Sequence, residues 1–451
     1  MVEDGFFRTR NNQMPKYLIK TLGCKVNQYE SEAVSQSLED AGFEASHDEE
    51  PDIYIINTCT VTGKASMQSR QAIRQAVRNH PKARIIVTGC YAQTEPDTLN
   101  QLSGIHDIVD NSGKYQIPEL VTHSALKSNN FTETADVDLK NRRDFFQFPS
   151  YVIGRRTRPF LKIQDGCDAF CTYCIVPHAR GHSRSMPLEF VLNNILKLTE
   201  YGSLETVLTG IHLGAYGHDL RPQTSLFELL DEINRSNAAR RLRLSSLEPQ
   251  ELSNGIIQLV KSSHIICNHL HIPLQSGNDV ILNKMNRPYT RSYFKELIHT
   301  IHTSIPNVSI GVDIIIGFPG ETDEALEDTY SLINDLPIAY LHVFPFSPRR
   351  GTPAANFPDK VSTSVIKDRC KKIRELGNHK KKAFYQQFIG KTVEVLVEST
   401  RDKKTGCLKG FTSNYIPVLF DGPDKMKNTM VHVTIEKMTK SMLLRGVLTH
   451  K

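Results

Sequence analysis

Apolar and polar positions follow three successive rhythms along this chain, and each predicts its own architecture. From about residue 14 to 121, Tyr17 to Leu22, Asp52 to Asn57 and Arg84 to Thr88 read as strands, with Glu30 to Ala41 and Ala65 to Asn79 as helices between them. Strand and helix in alternation predict a parallel sheet covered on both faces, a three-layer domain. Parallel strands direct their carboxyl ends to one edge, and ligands bind there.

The second rhythm is longer. Strands are predicted near Phe160 to Gln164, Thr206 to Leu208, Arg241 to Ser245, His269 to Pro273, Ser309 to Ile316 and Tyr340 to Phe346. Helices fall near Pro187 to Tyr201, Ser225 to Arg235, Glu251 to Lys261, Thr290 to Thr303 and Thr322 to Asn334. Six such units predict a partial (β/α)6 barrel with its chemistry at the strands' carboxyl ends. The third rhythm has strands only: Thr392 to Glu398, Lys409 to Thr412, Pro417 to Phe420, Met430 to Ile435 and Met442 to Leu448. It predicts a small antiparallel β-barrel, an architecture often used to hold nucleic-acid strands. The expected domains are therefore 14–121, a linker at 122–158, the barrel with a trailing basic helix at 159–388, and the small barrel at 389–451. The linker is polar and carries basic runs at Lys140 to Arg143 and Arg155 to Arg158.

Composition adds bounds. A length of 451 residues leaves room for two or three domains, and 39% hydrophobic with 23% charged residues is a soluble, globular balance. No apolar run reaches membrane-spanning length, and Met1 to Gln13 lacks the apolar segment of a signal peptide, so the expected location is the cytoplasm and no membrane partner is expected. Met14 is a second plausible start. Nine cysteines, an odd number, favour a reducing compartment with metal-bound thiolates. A net charge of +6 permits an anionic partner without requiring one.

The cysteines carry the chemistry. In Gly166-Cys167-Asp168-Ala169-Phe170-Cys171-Thr172-Tyr173-Cys174 three thiols stand in one short loop after an apolar strand, spaced by three residues and then two. A structural zinc site is usually closed by a fourth ligand, and His178 and His182 are the only local candidates. Three cysteines suit a 4Fe-4S cluster better, with one iron left open to a small molecule. Cys24, Cys59 and Cys90 each follow a predicted strand of the first domain, so one sheet edge gathers them too. Singly, each is ordinarily a small buried core residue; the repetition favours a second three-thiolate cluster.

The loop resembles the signature of the radical S-adenosylmethionine enzymes. The resemblance implies that the methionine amino and carboxylate groups chelate the open iron, and that an electron from the cluster cleaves the sulfonium to a 5'-deoxyadenosyl radical. It also implies that Tyr173 lies near the adenine. Other predicted strand ends carry Gly210, Glu248 and Gln275. The glycine permits close approach of a cofactor, and the two polar side chains suit hydrogen bonds to ribose or methionine, although a turn or helix cap is an equal reading for each.

Basic residues cluster in two places. Arg70, Arg74 and Arg78 line one helix face, ordinarily a solvated one. Lys367 to Lys382 is a helical stretch holding Lys371, Lys372, Lys380 and Lys381 with little acid. A basic helix leading into a small barrel makes RNA the expected partner.

With these parts in view the chain resembles the methylthiotransferases from end to end. The match rests on Lys20 to Gln28, Asn57-Thr58-Cys59, Gly89-Cys90, Asp165 to Cys174 with Ile175-Val176-Pro177, Ala179-Arg180-Gly181, and His271 to Gly277. The tail resembles a TRAM RNA-binding domain. Met186 and Asn268 depart from the expected arginine and proline. Leu22 to Asn27 and the Asp165-Gly166-Cys167 context look most like the bacterial branch acting on N6-threonylcarbamoyladenosine at position 37 of tRNA. The resemblance implies two 4Fe-4S clusters, on Cys24, Cys59 and Cys90 and on Cys167, Cys171 and Cys174. It further implies two S-adenosylmethionine molecules, a methylthio group placed on carbon 2 of adenine, and separate electron and sulfur donors. Isopentenyladenosine of tRNA or a ribosomal-protein aspartate is the alternative substrate, and a non-catalytic iron-sulfur RNA-binding or electron-carrier protein the alternative class.

Overall fold

The computed structural model describes residues 14–46, 50–123, 144–145 and 156–449. The expectations for Met1 to Gln13, for Lys140 to Arg143 and for Arg155 lie outside the described residues. The chain divides into two compact units, one of which adds Gln164–Met186 and Ser347–Thr352 to the N-terminal sheet.

In the first unit β1 (Lys16–Thr21), α1 (Lys25–Asp40), β2 (Glu44–Ala45), β3 (Ile53–Thr58), α2 (Gly63–Asn79), β4 (Arg84–Gly89), α3 (Cys90–Thr94), α4 (Pro96–Asn100), β5 (Asp107–Val109) and α5 (Ile117–His123) follow in order. The five strands are parallel, in the order β2-β1-β3-β4-β5. Strands buried on both faces read as unbroken apolar runs, and β3 does so. Its Ile53 and Ile55 pack with Val34, Leu38 and Ile117 on one face. Tyr54 and Ile56 pack with Ala72, Ile73 and Ala76 on the other. The sheet is thus the middle of three layers, as its sequence pattern predicts. After β6 (Phe160–Lys162), which belongs to the second unit, β7 (Gln164–Asp165) pairs antiparallel with β8 (Arg184–Ser185), closing a loop that holds α6 (Val176–Arg180).

The second unit continues with α7 (Leu188–Glu200), β9 (Thr206–Thr209), α8 (Leu226–Ser236), β10 (Leu242–Leu244), α9 (Asn254–Ser262), β11 (His269–His271), α10 (Asp279–Lys284), α11 (Arg291–Ser304), β12 (Ser309–Ile316), α12 (Asp323–Asp335), β13 (Tyr340–Pro345) and α13 (Thr363–Gln386). Two parallel three-stranded sheets, β10-β9-β6 and β11-β12-β13, meet where Leu242 N donates to Ile265 O at 2.7 Å and Cys267 N to Leu242 O at 2.8 Å. Six strands in this order make the partial barrel. Hydroxyl or amide side chains begin five of its helices: Ser225, Ser253, Asn278, Thr290 and Thr322 each accept an amide hydrogen from three residues on. Helix α10 was not legible in the apolar pattern, because six residues are too few to show a helical period.

The last strands, β14 (Thr392–Val397), β15 (Leu408–Phe411), β16 (Pro417–Phe420), β17 (Met430–Met438) and β18 (Leu444–Leu448), form a closed barrel in the order β14-β15-β16-β18-β17. Four pairings are antiparallel, and β16 with β18 is parallel. A closed ring of five strands cannot alternate direction all the way round, so one parallel contact is unavoidable. Val395, Val397, Leu408, Val418, Phe420, Val433 and Ile435 fill the barrel, and Tyr385 and Phe388 cap that core from the end of α13. Burying a side chain such as Phe388 contributes about 1.5–3 kcal/mol. No helix among the described residues is long and apolar enough to cross a membrane.

Candidate active site

The parallel sheet brings Cys24, Cys59 and Cys90 to its carboxyl edge, after β1, β3 and β4. Cys24 caps α1 and Cys90 opens α3. Two glycines make the approach possible. A Cβ on Gly23 (φ +102°) would lie 2.8 Å from the Cys59 Cβ, and one on Gly89 (φ +97°) 2.4 Å from the Thr58 carbonyl oxygen. Side chains lock the edge. Asn27 Nδ2 donates to the carbonyls of Leu22 (2.7 Å) and Thr58 (2.9 Å), and Ser69 Oγ donates to the Cys59 carbonyl (2.8 Å). Burial pushes the Cys59 thiol up to about 11. Cys24 keeps solvent access, yet the surrounding protein still raises its thiol, while the Arg180 guanidinium opposes that rise.

Cys167, Cys171 and Cys174 stand in the second loop of the same unit, each half-buried. Gly166 (φ +72°) turns the chain there, with no room for a Cβ beside the His182 carbonyl. Cys167 N donates to Gly181 O at 3.1 Å and Cys174 N to Cys171 O at 2.9 Å. Asp168 accepts from Ser183 N at 3.1 Å and pairs with His182 Nδ1 at 2.5 Å, so this histidine is tied to a carboxylate in the loop. Tyr173 is half-buried between Cys171 and Cys174.

A buried ion network ties the loop to the sheet edge. Arg180 donates to Glu30 Oε1 (2.8 Å), Asp165 Oδ1 (2.9 Å) and Asn27 Oδ1 (2.6 Å). Lys114 Nζ reaches Glu30 Oε2 at 2.5 Å, and Arg184 lies 3.7 Å from Asp165 Oδ2. These contacts join three cations to two carboxylates. The Arg180-Gly181 pair was noticed in the sequence only as part of a motif. Glu30 and Lys114 carried no signal there, because 84 residues separate them.

Both triads fit a four-iron cluster better than a single ion. Each triad offers three thiols, one set gathered at a sheet edge and the other in a short loop. Around one zinc, with Zn–S about 2.3 Å, the sulfurs would stand about 3.8 Å apart. A cluster instead seats each thiolate on its own iron. Metal binding needs thiolates, so it must overcome the raised thiols, and the nearby guanidinium favours that charge.

In the second unit Gly210 follows β9 directly. Glu248 is held by Arg287 and caps the short turn after it, and burial raises its carboxyl despite that cation. Gln275 takes φ +65°, and its buried Oε1 has no hydrogen-bond partner among the described residues. An orphaned buried acceptor at a strand end is a place for a polar ligand. The same unit also brings together residues that the sequence did not mark as a site: His271, Asp313 and His342 offer ligand atoms within 4.8 Å of one another. Reading side-chain parity within the predicted strands was the available signal, but the inter-strand register was not legible.

The basic residues divide. Arg70, Arg74 and Arg78 line one shallow depression along α2, and Arg70 also donates to the Tyr91 hydroxyl at 3.2 Å. On α13, Lys371 is exposed. Lys372 pairs with Glu327 at 2.8 Å, and Lys380 Nζ donates to Asn334 O at 2.8 Å. Lys381 is half-buried over the Tyr385 ring. Burial lowers the ammonium groups of both Lys380 and Lys381.

Residues 16–110 match the family described as uncharacterized protein family UPF0004, and residues 161–333 match the radical SAM superfamily. The chain is 37% identical over 421 residues to the threonylcarbamoyladenosine tRNA methylthiotransferase MtaB of Bacillus subtilis, covering 92% of this chain and 93% of that one. It is 33% identical to the tRNA-2-methylthio-N(6)-dimethylallyladenosine synthase of Pelotomaculum thermopropionicum, over 97% and 98% of the two chains. Its fold resembles the radical S-adenosylmethionine methyltransferase TsrM of Kitasatospora setae, with a TM-score of 0.56 at 18% identity over 76% of this chain and 77% of that one. Identity at this level over nearly the whole length, with two cysteine triads in the geometry described, shows that the chain belongs to the radical S-adenosylmethionine methylthiotransferases.

Proposed function

We propose that this enzyme methylthiolates carbon 2 of N6-threonylcarbamoyladenosine at position 37 of tRNA, giving 2-methylthio-N6-threonylcarbamoyladenosine. The observation that carries the chemistry is the packing of both cysteine triads in one unit, braced by Arg180 between Glu30, Asn27 and Asp165. The substrate follows the relatives named for threonylcarbamoyladenosine, at 34–37% identity.

Cys24, Cys59 and Cys90 would hold one 4Fe-4S cluster, and Cys167, Cys171 and Cys174 the other. When bound, the clusters and two S-adenosylmethionine molecules supply the methylthio group and the one-electron chemistry that an unactivated aromatic carbon requires. The chain's own groups orient and seal. Gln275 Oε1 offers a buried acceptor to ribose or methionine, Glu248 is fixed by Arg287, and Gly210 leaves the backbone open. Tyr173 would flank the adenine of the cofactor. An electron donor and a sulfur donor are required partners.

The division of labour follows 14–121, the linker 122–158, 159–388, and 389–451 as a TRAM domain that grips RNA. Base 37 lies in an anticodon loop, where an unpaired base is free to enter a pocket. Arg74, Lys371 and Lys372 are the basic side chains best exposed for phosphates, whereas Arg70, Lys380 and Lys381 are half-buried. A tRNA-modifying enzyme of this kind works in the cytoplasm.

Nucleoside mass spectrometry of tRNA from cells lacking the protein tests the assignment. Loss of the methylthio nucleoside with accumulation of threonylcarbamoyladenosine is expected, restored by the gene but not by Cys24→Ala or Cys171→Ala. Loss of the methylthio isopentenyl nucleoside instead would favour the substrate named for the relatives at 32–33% identity. An unchanged tRNA profile would point to a ribosomal-protein aspartate. A non-catalytic carrier would form no 5'-deoxyadenosine from S-adenosylmethionine, so that product separates the classes.

A further inference from the structure

The β11-β12-β13 sheet has two unlike faces. Val312, Ile314 and Ile316 are buried, and Leu341 meets α13 at Gly377. On the other face Gly311 leaves space for the Tyr340 ring, and Asp313, His342 and Phe344 follow along the strands. His342 is 53% exposed at its side chain and Phe344 is 42% exposed, so this face is open to a ligand.

The polar groups on it are arranged, not scattered. Ser246 Oγ lies 2.7 Å from His271 Nδ1, fixing that ring from behind. His271 Nε2 and His342 Nδ1 both lie 3.1 Å from Asp313 Oδ1. His271 Nε2 is buried and faces the carboxylate. Burial works to raise the Asp313 carboxyl, but the two imidazoles outweigh it and hold the group below the usual carboxylate range. An aromatic ring stands beside this cluster, Phe344 at 6.4 Å from His342.

We propose that His342 and Asp313, positioned by His271 behind them, receive the hydroxy-carboxylate arm of the modified adenosine while Phe344 stacks on its base. This rests on the threonylcarbamoyl substrate reading. Imidazole N–H groups donate to a carboxylate, and Asp313 accepts from a hydroxyl or ureido N–H. An isopentenyl arm offers neither, and would leave desolvated polar groups without partners. A site built to bond a polar group rejects analogues that lack it far more strongly than an apolar pocket rejects a polar one. The cluster is therefore a specificity site.

The test uses full-length reconstituted protein and anticodon stem-loop RNAs carrying threonylcarbamoyladenosine, isopentenyladenosine or plain adenosine. Dissociation constants by fluorescence anisotropy should favour the threonylcarbamoyl RNA for the wild type. His342→Ala and Asp313→Asn should weaken that RNA roughly 10–100-fold, bringing its ratio to plain RNA toward one. Phe344→Ala should weaken all three RNAs about 10-fold or more, as lost base stacking does. His342→Gln, at an exposed position, guards against a folding defect. If the variants keep the wild-type ratio, the cluster is not the specificity site and the substrate reading stands. Should the wild type fail to discriminate, the substrate reading falls and this proposal with it. Stoichiometric zinc by mass spectrometry, lost on His342→Ala, would overturn the proposal in favour of a metal site.

Discussion

Arg180 and Arg243 are both fully buried guanidiniums held by carboxylates, and they differ in what takes up the rest of the local charge. Around Arg243, Glu205 accepts from Arg241 at 2.5 Å and from Arg243 at 2.6 Å. The second cation is absorbed by main-chain oxygens of Phe411, Thr412 and Ser413, and by the Tyr415 ring 4.7 Å from the Arg243 carbon. Those partners belong to the small barrel, so this network fastens β9 and β10 to the C-terminal strands. Around Arg180, three cations meet two carboxylates, and the Arg180 charge reaches Cys24, Cys59 and Cys90. Similar buried arithmetic thus fastens two sheets of one unit in one place and favours thiolates in the other.

Removing the central cation breaks the comparison hardest. Arg180→Met leaves Glu30 and Asp165 buried with weakened partners, so a loss of about 3–5 kcal/mol in denaturant unfolding of the metal-free protein is expected. It should also slow alkylation of Cys24, because the guanidinium that opposes the rise of its thiol is gone. Unchanged alkylation would mean that Arg180 is only a fastener, and the contrast with Arg243 would collapse.

Glu205→Gln probes the other network and should cost about 3 kcal/mol, without altering cysteine reactivity. It carries a pH signature as well. Burial tends to raise the Glu205 carboxyl, but Arg243 and Arg241 outweigh it and hold the group below its usual 4.5. A carboxyl lowered in the folded state stabilises fully above its unfolded pKa and loses that contribution as pH falls toward the folded one. The wild-type melting temperature should therefore drop below about pH 4.5 more steeply than that of Glu205→Gln. Parallel curves would show that Glu205 is not ionised in the fold.

The contrast also marks what the sequence made legible. Cys24, Cys59 and Cys90 were readable because a parallel sheet sends every strand's carboxyl end to one edge, whatever the sequence separation. The loop triad was readable from spacing alone. Glu30, Lys114 and Arg180 were not, because charges on a helix, a turn and a loop become partners only through packing. His271, Asp313 and His342 lay in correctly predicted strands, yet their convergence depends on a register that periodicity does not carry. The parallel closure of β16 on β18 follows from strand number, once the ring is known to close.

The smallest expected effects lie on α13, where charges that look alike in sequence have different surroundings. Lys371 is exposed and Lys380 is half-buried, donating to Asn334 O with its ammonium lowered by burial. If α13 contacts phosphates, Lys371→Ala should reduce the slope of log affinity for tRNA against log salt by about one, and weaken all tRNA sequences alike. Lys380→Ala should leave that slope nearly unchanged and instead lower stability by about 0.5–1.5 kcal/mol, the net worth of one hydrogen bond. Equal slopes for both variants would show that a lysine drawn inward by a carbonyl still reaches RNA, and exposure would then be a poor guide to which side chains of this helix bind it.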